Sequence, residues 1–188
     1  MSGFQNTTGA VSGIVGKTEG TPGAYFLAET DDFLYTTQTA STTKSQDDIN
    51  ISDDDFVTVT PASDGDLIDL KFYVSMRLTG DGQEYIGVAI QRSTASDFSA
   101  SPTILWASGR HAFGADMDSG HTDFYTTMAA PVCRTSTQWG LTAGTTYYLR
   151  MTGQTHSVGL TAACQWGHNQ TSKTRSGVSL NMQRWVAI

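Results

Sequence analysis

Two imidazoles and three carboxylates fall within one short stretch of this chain: His111, Asp116, Asp118, His121 and Asp123. They are its densest set of groups that could do chemistry. Zinc takes a tetrahedron of nitrogen, sulfur or oxygen donors and calcium a larger shell of oxygens, so the stretch holds donors suited to either. The spacing matches neither metal. It lacks the His-Glu-x-x-His pattern of a zinc helix, and Asp116-x-Asp118-x-Gly120 matches only the opening of a calcium loop, without the downstream Glu. No metal or other cofactor is expected. The ordinary reading is a long solvated loop between strands, and the functional one is a tip that binds a glycan or a cation. Ser119 stands near His121, but a serine nucleophile needs a Gly-x-Ser-x-Gly turn between a strand and a helix, which is missing. The chain is therefore expected to be non-enzymatic.

The remaining polar and aromatic residues carry less. Asp53, Asp54 and Asp55 read as a solvated face or a guard on a strand edge. Trp106, Trp139, Trp166 and Trp185, with Tyr147 and Tyr148, could stack on sugar rings, yet most are expected in the core or at a subunit interface. Cys133 and Cys164 are expected to remain thiols, with Cys164 a small core filler on the apolar phase of a strand that also carries Trp166.

The elements that must position these groups are strands. Ile68, Leu70, Phe72, Val74, Met76 and Leu78 occupy every even position of one segment, and Asp69, Lys71, Tyr73, Ser75 and Arg77 lie between them. A side-chain period of two puts all six apolar groups against one core, whereas a helix would scatter them over opposite faces. Further strands are expected over residues 56–60, 85–91, 103–107, 122–129, 145–151, 158–166 and 178–188. Gly80-Asp81-Gly82 reads as the tight loop of a hairpin joining the long strand to the segment over 85–91. Residues 36–50 read as a polar bridge.

Charged residues make up only 15% of the 188, while Gly, Ser and Thr are abundant, a balance suited to strands and turns. About eight to ten short strands without an amphipathic helix predict an all-β, antiparallel β-sandwich of jelly-roll type. An immunoglobulin-like sandwich is the runner-up. The net charge of −7 argues against a partner with a phosphate backbone, so nucleic acid is not expected. No stretch approaches the roughly 18 to 20 apolar residues of a bilayer span, and no membrane partner is expected.

Residues 1–23 are glycine-rich with sparse apolar groups, Phe4, Val11, Ile14 and Val15, and cannot build a core alone. They read as an extended arm, either a tail or an anchor ordered on a partner, ahead of a sandwich domain over residues 24–188. The last expected strand carries Trp185, Val186 and Ile188. Trp185 alternates out of phase with Met182 and Val186, so it faces the other side of its strand and is expected to meet a neighbouring subunit.

The run Gly-Leu-Thr-Ala-Gly-Thr-Thr-Tyr-Tyr-Leu-Arg over residues 140–150, then Gln165-Trp166-Gly167, then Ser176-Gly177-Val178-Ser179-Leu180, resembles the trimeric jelly-roll heads of bacteriophage virion proteins. These include capsid decoration or cement proteins and head or tail fibre knobs, more distantly similar to tumour-necrosis-factor and C1q-like heads. The resemblance implies a homotrimer on the virion, assembled in the host cytoplasm, with the arm on another virion protein such as the major capsid protein or a fibre or tail adaptor. No collagen-like or coiled-coil shaft is present, which favours a decoration protein over a fibre knob that binds host surface glycan. An enzyme acting on polysaccharide would need two suitably spaced carboxylates in a cleft.

Overall fold

The alternation around Phe72 does what its period requires. The computed structural model describes residues 25–37, 39–41, 46–79, 84–100, 102–108, 111–113, 123–157, 163–167 and 177–187. In it Ile68, Leu70, Phe72, Val74, Met76 and Leu78 are all buried on one face of a single strand. In chain order the strands are β1 (Tyr25–Tyr35), β2 (Thr39–Ser41), β3 (Gln46–Asn50), β4 (Val57–Val59), β5 (Leu67–Thr79) and β6 (Glu84–Ser93). They continue as β7 (Thr103–Ala107), β8 (His111–Phe113), β9 (Asp123–Thr135), β10 (Tyr147–Ser157), β11 (Ala163–Trp166) and β12 (Val178–Ala187). Among the described residues there is no helix.

The strands form two antiparallel sheets. In the first, β9 lines one edge of β5 over its whole length, so β11 and β12 share the other edge, and β1 and β2 flank them. In the second, β10 lies between β3 and β4 on one side and β6 on the other, and β6 carries β7 and β8. The pairing is nested: β1 with β12, β4 with β10, β5 with β9, β6 with β7. A long antiparallel ribbon rolled so that its two arms stay paired gives this order, which is the jelly roll.

Nesting corrects one expectation. β5 and β6 are both present across residues 80–83, but they lie in different sheets and do not form a hairpin. Turn chemistry specifies that the chain reverses, not the plane in which it does so. β5 instead finds a full-length partner in β9, and β6 finds one in β10. The bridge over residues 36–50 also proves to hold two short strands, β2 and β3, too polar to show an apolar phase.

The inner faces interlock around Trp166. Its ring is fully buried, and its Nε1 crosses between sheets to donate to the Gly87 carbonyl at 3.1 Å. Gly153 on β10 makes room, since a Cβ there would sit 2.6 Å from the indole carbons Cε2 and Cζ2. Val57, Val59, Ile86, Val88, Ile90, Leu149 and Met151 fill the second sheet's side of the core. Each such side chain contributes about 1.5–3 kcal/mol by leaving water.

β11 and β12 are halves of one strand position, and Ser75 marks the break between them. β11 pairs with β5 residues 76–79 and β12 with residues 67–74. Ser75 donates its amide to the Gly177 carbonyl at 3.1 Å and accepts from the Gly167 amide at 2.8 Å, so both ends of the interruption are held at one residue. Gly177 has φ +154° and packs against the Tyr35 carbonyl, where a Cβ would come within 2.9 Å.

Cys164 is buried and Cys133 exposed, and no disulfide joins them. Cys164 lies opposite Leu78, and Cys133 opposite Asp69. Along β5 those positions are separated by about 30 Å at a strand's rise, far beyond the roughly 7 Å limit between disulfide Cα atoms. The two cannot join within one chain.

Candidate functional site

The outer face of the first sheet follows from the odd residues of β5. Opposite residues share a face. One row therefore reads Leu27, Trp185, Leu67, Thr135 from β1 to β9, and the next Thr30, Gln183, Asp69, Cys133. Then come Asp32, Asn181, Lys71, Pro131, and finally Leu34, Ser179, Tyr73, Ala129. Two rows with bulky apolar groups thus bracket two polar ones. Leu34 is 64% exposed and Trp185, Leu27, Leu67 and Tyr73 are half-buried. Within the polar rows Lys71 reaches Asp69 at 3.0 Å and donates to Gln183 Oε1 at 3.4 Å.

A register shift at Ala28 makes this arrangement possible. Between Leu27 and Glu29 the pairing of β1 with β12 slips by one residue, so Leu27 turns to the outer face beside Trp185. A β-bulge re-aims side chains in this way. Phe26 then falls opposite Val186 and is 42% exposed.

Beneath the Trp185 row an ion-pair triad fixes the register. Arg184 Nε donates to Glu29 Oε2 at 2.8 Å and Arg184 Nη1 to Asp66 Oδ2 at 3.0 Å. The Asp66 side chain has 0% exposure and accepts further bonds from the Ala62 amide at 2.7 Å and the Ser63 hydroxyl at 2.6 Å. Burial pushes the Asp66 pKa up, but the Ser63 hydroxyl, the Ala62 amide and Arg184 outweigh it and hold the carboxyl below its ordinary value. For Arg184, burial is outweighed by Glu29 and Asp66, and its pKa is raised. First strand, last strand and the β4–β5 turn are thereby tied at one point.

The residues singled out from sequence distribute unevenly. Trp185 stands on the outer face as expected, and Val186 is half-buried beside Phe26. Ile188 and the arm residues Phe4, Val11, Ile14 and Val15 lie outside the described residues, as do Asp116, Asp118 and His121. His111 opens β8 opposite Ile86, and Asp123 opens β9 opposite Thr79, so the stretch between them joins the second sheet to the first. Among the described residues no group of three or more His, Cys, Asp or Glu side chains is placed to hold a metal ion. Asp53, Asp54 and Asp55 are exposed. Sequence reading did not single out Leu27, Leu34 and Leu67 as companions of Trp185. Leu67 interrupts the polar phase of the long strand and was the available signal. The Cys133 thiol, on the same face, is pushed up by burial and by Asp69, which makes it a weak nucleophile.

No family model matches the chain, and no curated protein matches it by sequence. Solved structures similar to it include a chain of the infectious bursal disease virus Gt strain, 12% identical, with 94% of this chain and 44% of that chain covered and a TM-score of 0.36. Another comes from the T13 particle of the same virus, 11% identical, with 87% and 40% covered and a TM-score of 0.32. A third is the globular domain of zebrafish complement 1qA, 13% identical, with 84% and 97% covered and a TM-score of 0.28. The chain spans less than half the length of the viral chains it matches.

Proposed function

We propose that this chain is a non-enzymatic virion structural protein: a homotrimeric decoration or cement protein that attaches to a bacteriophage shell through residues 1–23. The observation that supports assembly is the Trp185 row, where Leu27, Trp185 and Leu67 lie side by side, half-buried, on the outer face of a sheet, while Leu34 is exposed at the far end of the same face. On the polar rows of that face Lys71 is already paired with Asp69, so the apolar row is the part left for a partner copy, and a head-to-tail contact there closes into a ring when the rotation permits. Three arms on one ring act together through effective concentration, so weak individual attachments, ordered only on the shell, sum to tight binding.

Two experiments test this reading. Trp185→Glu puts a charge into the centre of the interface. It is expected to weaken association by about thirtyfold or more, the effect of losing about 2 kcal/mol at a buried aromatic anchor, and to yield a folded monomer in sedimentation. An unchanged sedimentation profile would remove Trp185 from the interface. Deleting residues 2–23 is expected to leave a folded oligomer that no longer co-sediments with virus particles. Attachment that survives the deletion, together with host-cell binding lost on changing Asp116, Asp118 and His121, would favour a glycan-binding fibre knob instead.

A further inference from the structure

On the outer face of the second sheet Arg150 closes no ion pair among the described residues. Arg150 on β10 lies opposite Gln91 on β6, and its Nε donates to Gln91 Oε1 at 2.8 Å. Its guanidinium carbon sits 4.1 Å from the centroid of the Phe98 ring. Phe98 is 8% exposed and adopts φ +55°, a left-handed conformation that is rare for a bulky aromatic residue. Its amide donates to the Ala95 carbonyl at 3.0 Å, which closes the turn that holds the ring under the guanidinium. Phe56 packs beside it, tilted 58° to Phe98 at 6.5 Å and edge-on to Tyr148 at 5.1 Å, so Phe56 and Tyr148 form an aromatic corner, and Tyr148 shares the outer phase of β10 with Arg150.

The contrast with Arg184 is the informative part. Arg184 spends its donors on two carboxylates. Arg150, in a chain of net charge −7, reaches no carboxylate at ion-pair distance, and its Nη nitrogens take no acceptor among the described residues. Burial lowers its pKa and the nearby Asp48 raises it, so it feels an acid without closing on it. A guanidinium fixed at Nε and stacked on one face presents its Nη edge as a preorganised fork, the geometry that matches a carboxylate.

We propose that Arg150, Gln91, Phe98, Phe56 and Tyr148 form a binding site for an acidic sugar, with the sugar carboxylate on the Nη edge of Arg150 and the pyranose ring against Phe56 and Tyr148. Aromatic faces accept the apolar side of a sugar ring. β10 is paired with β6 at Arg150, and on its other edge β4 reaches Leu149 and β3 begins at Thr152, so only a two-residue gap is left, too short for an extended peptide to join as a strand. The site lies on the opposite sheet from Trp185 and does not depend on the assembly reading.

The test is titration of the full-length protein with 3′-sialyllactose and with a trigalacturonate, using lactose as the neutral control, followed by NMR at the arginine Nε–Hε signals. At least one acidic sugar is expected to shift the Arg150 signal and to bind about tenfold or more tightly than lactose, the effect of one charge-assisted hydrogen bond. Arg150→Gln is expected to erase that preference, and Arg150→Lys to keep a small part of it. The Trp166 Nε1–H signal reports that each variant is folded. Tyr148→Ser is expected to weaken all three sugars together. The proposal is overturned if neither acidic sugar surpasses lactose, if the preference survives Arg150→Gln, or if a glutamate-rich peptide displaces both sugars.

Discussion

Replacing Asp66 by Ala is expected to lower the free energy of unfolding by about 3–5 kcal/mol, the range for removing one partner of a buried ion pair. The cost is large because the Asp66 carboxylate, with 0% exposure, receives Arg184, the Ser63 hydroxyl and the Ala62 amide at once. Removing it strands all three donors. Arg184 is left with Glu29 alone, inside the seam that holds the first strand against the last. Urea unfolding at neutral pH measures the effect, and a change below 1 kcal/mol would show that the triad is not a structural tie.

The same residue sets a pH dependence with a definite sign. Asp66 is held below its ordinary pKa in the folded chain, so the unfolded chain binds this proton more tightly. Its contribution is fully present above the unfolded value of about 3.9 and is lost as pH falls through the lower folded value. The stability gap between the protein and its Asp66→Asn variant is therefore expected to be constant above pH 5 and to shrink below about pH 4. A gap that grows on acidification would contradict the assignment.

Trp166→Ala is expected to cost about 3–5 kcal/mol, through the cavity left by a fully buried indole. The Gly87 carbonyl loses its donor as well. Gly153→Ala is expected to cost about 1–3 kcal/mol from overpacking, because its new methyl would lie 2.6 Å from the indole and 3.0 Å from Ile51 Cγ2. In the double variant the methyl enters the space the indole vacated, so the two costs should sum to less than their separate values. Additive costs would mean that Gly153 and Trp166 do not share the space between the sheets.

Much of this fold was legible because a half-buried strand writes its own phase. The alternation at residues 68–78 located the core face of β5, and the phase of Tyr147 and Leu149 located that of β10, with Tyr148 and Arg150 facing away. Trp185 was placed on the outer face by the same counting, since it falls opposite Leu67. Pairing was less legible, because alternation is identical for a strand beside its neighbour in sequence and one beside a strand far along the chain. The segments on either side of residues 80–83 illustrate this: β5 and β6 are consecutive in the chain yet enter different sheets. Ser75 holding Gly167 and Gly177 together, Arg184 reaching Asp66, and Arg150 resting on Phe98 all join residues distant in sequence, and no local pattern announces them. The bulge at Ala28 is equally silent, yet it turns Leu27 toward Trp185.

Assembly through the outer face of the first sheet is tested most directly by the mass of the purified assembly in solution. Sedimentation equilibrium at micromolar protein is expected to give about three times the 20.2 kDa of one chain, with the Trp185 indole shielded from a fluorescence quencher. A single 20.2 kDa species at tens of micromolar, with that indole fully open to the quencher, would contradict it.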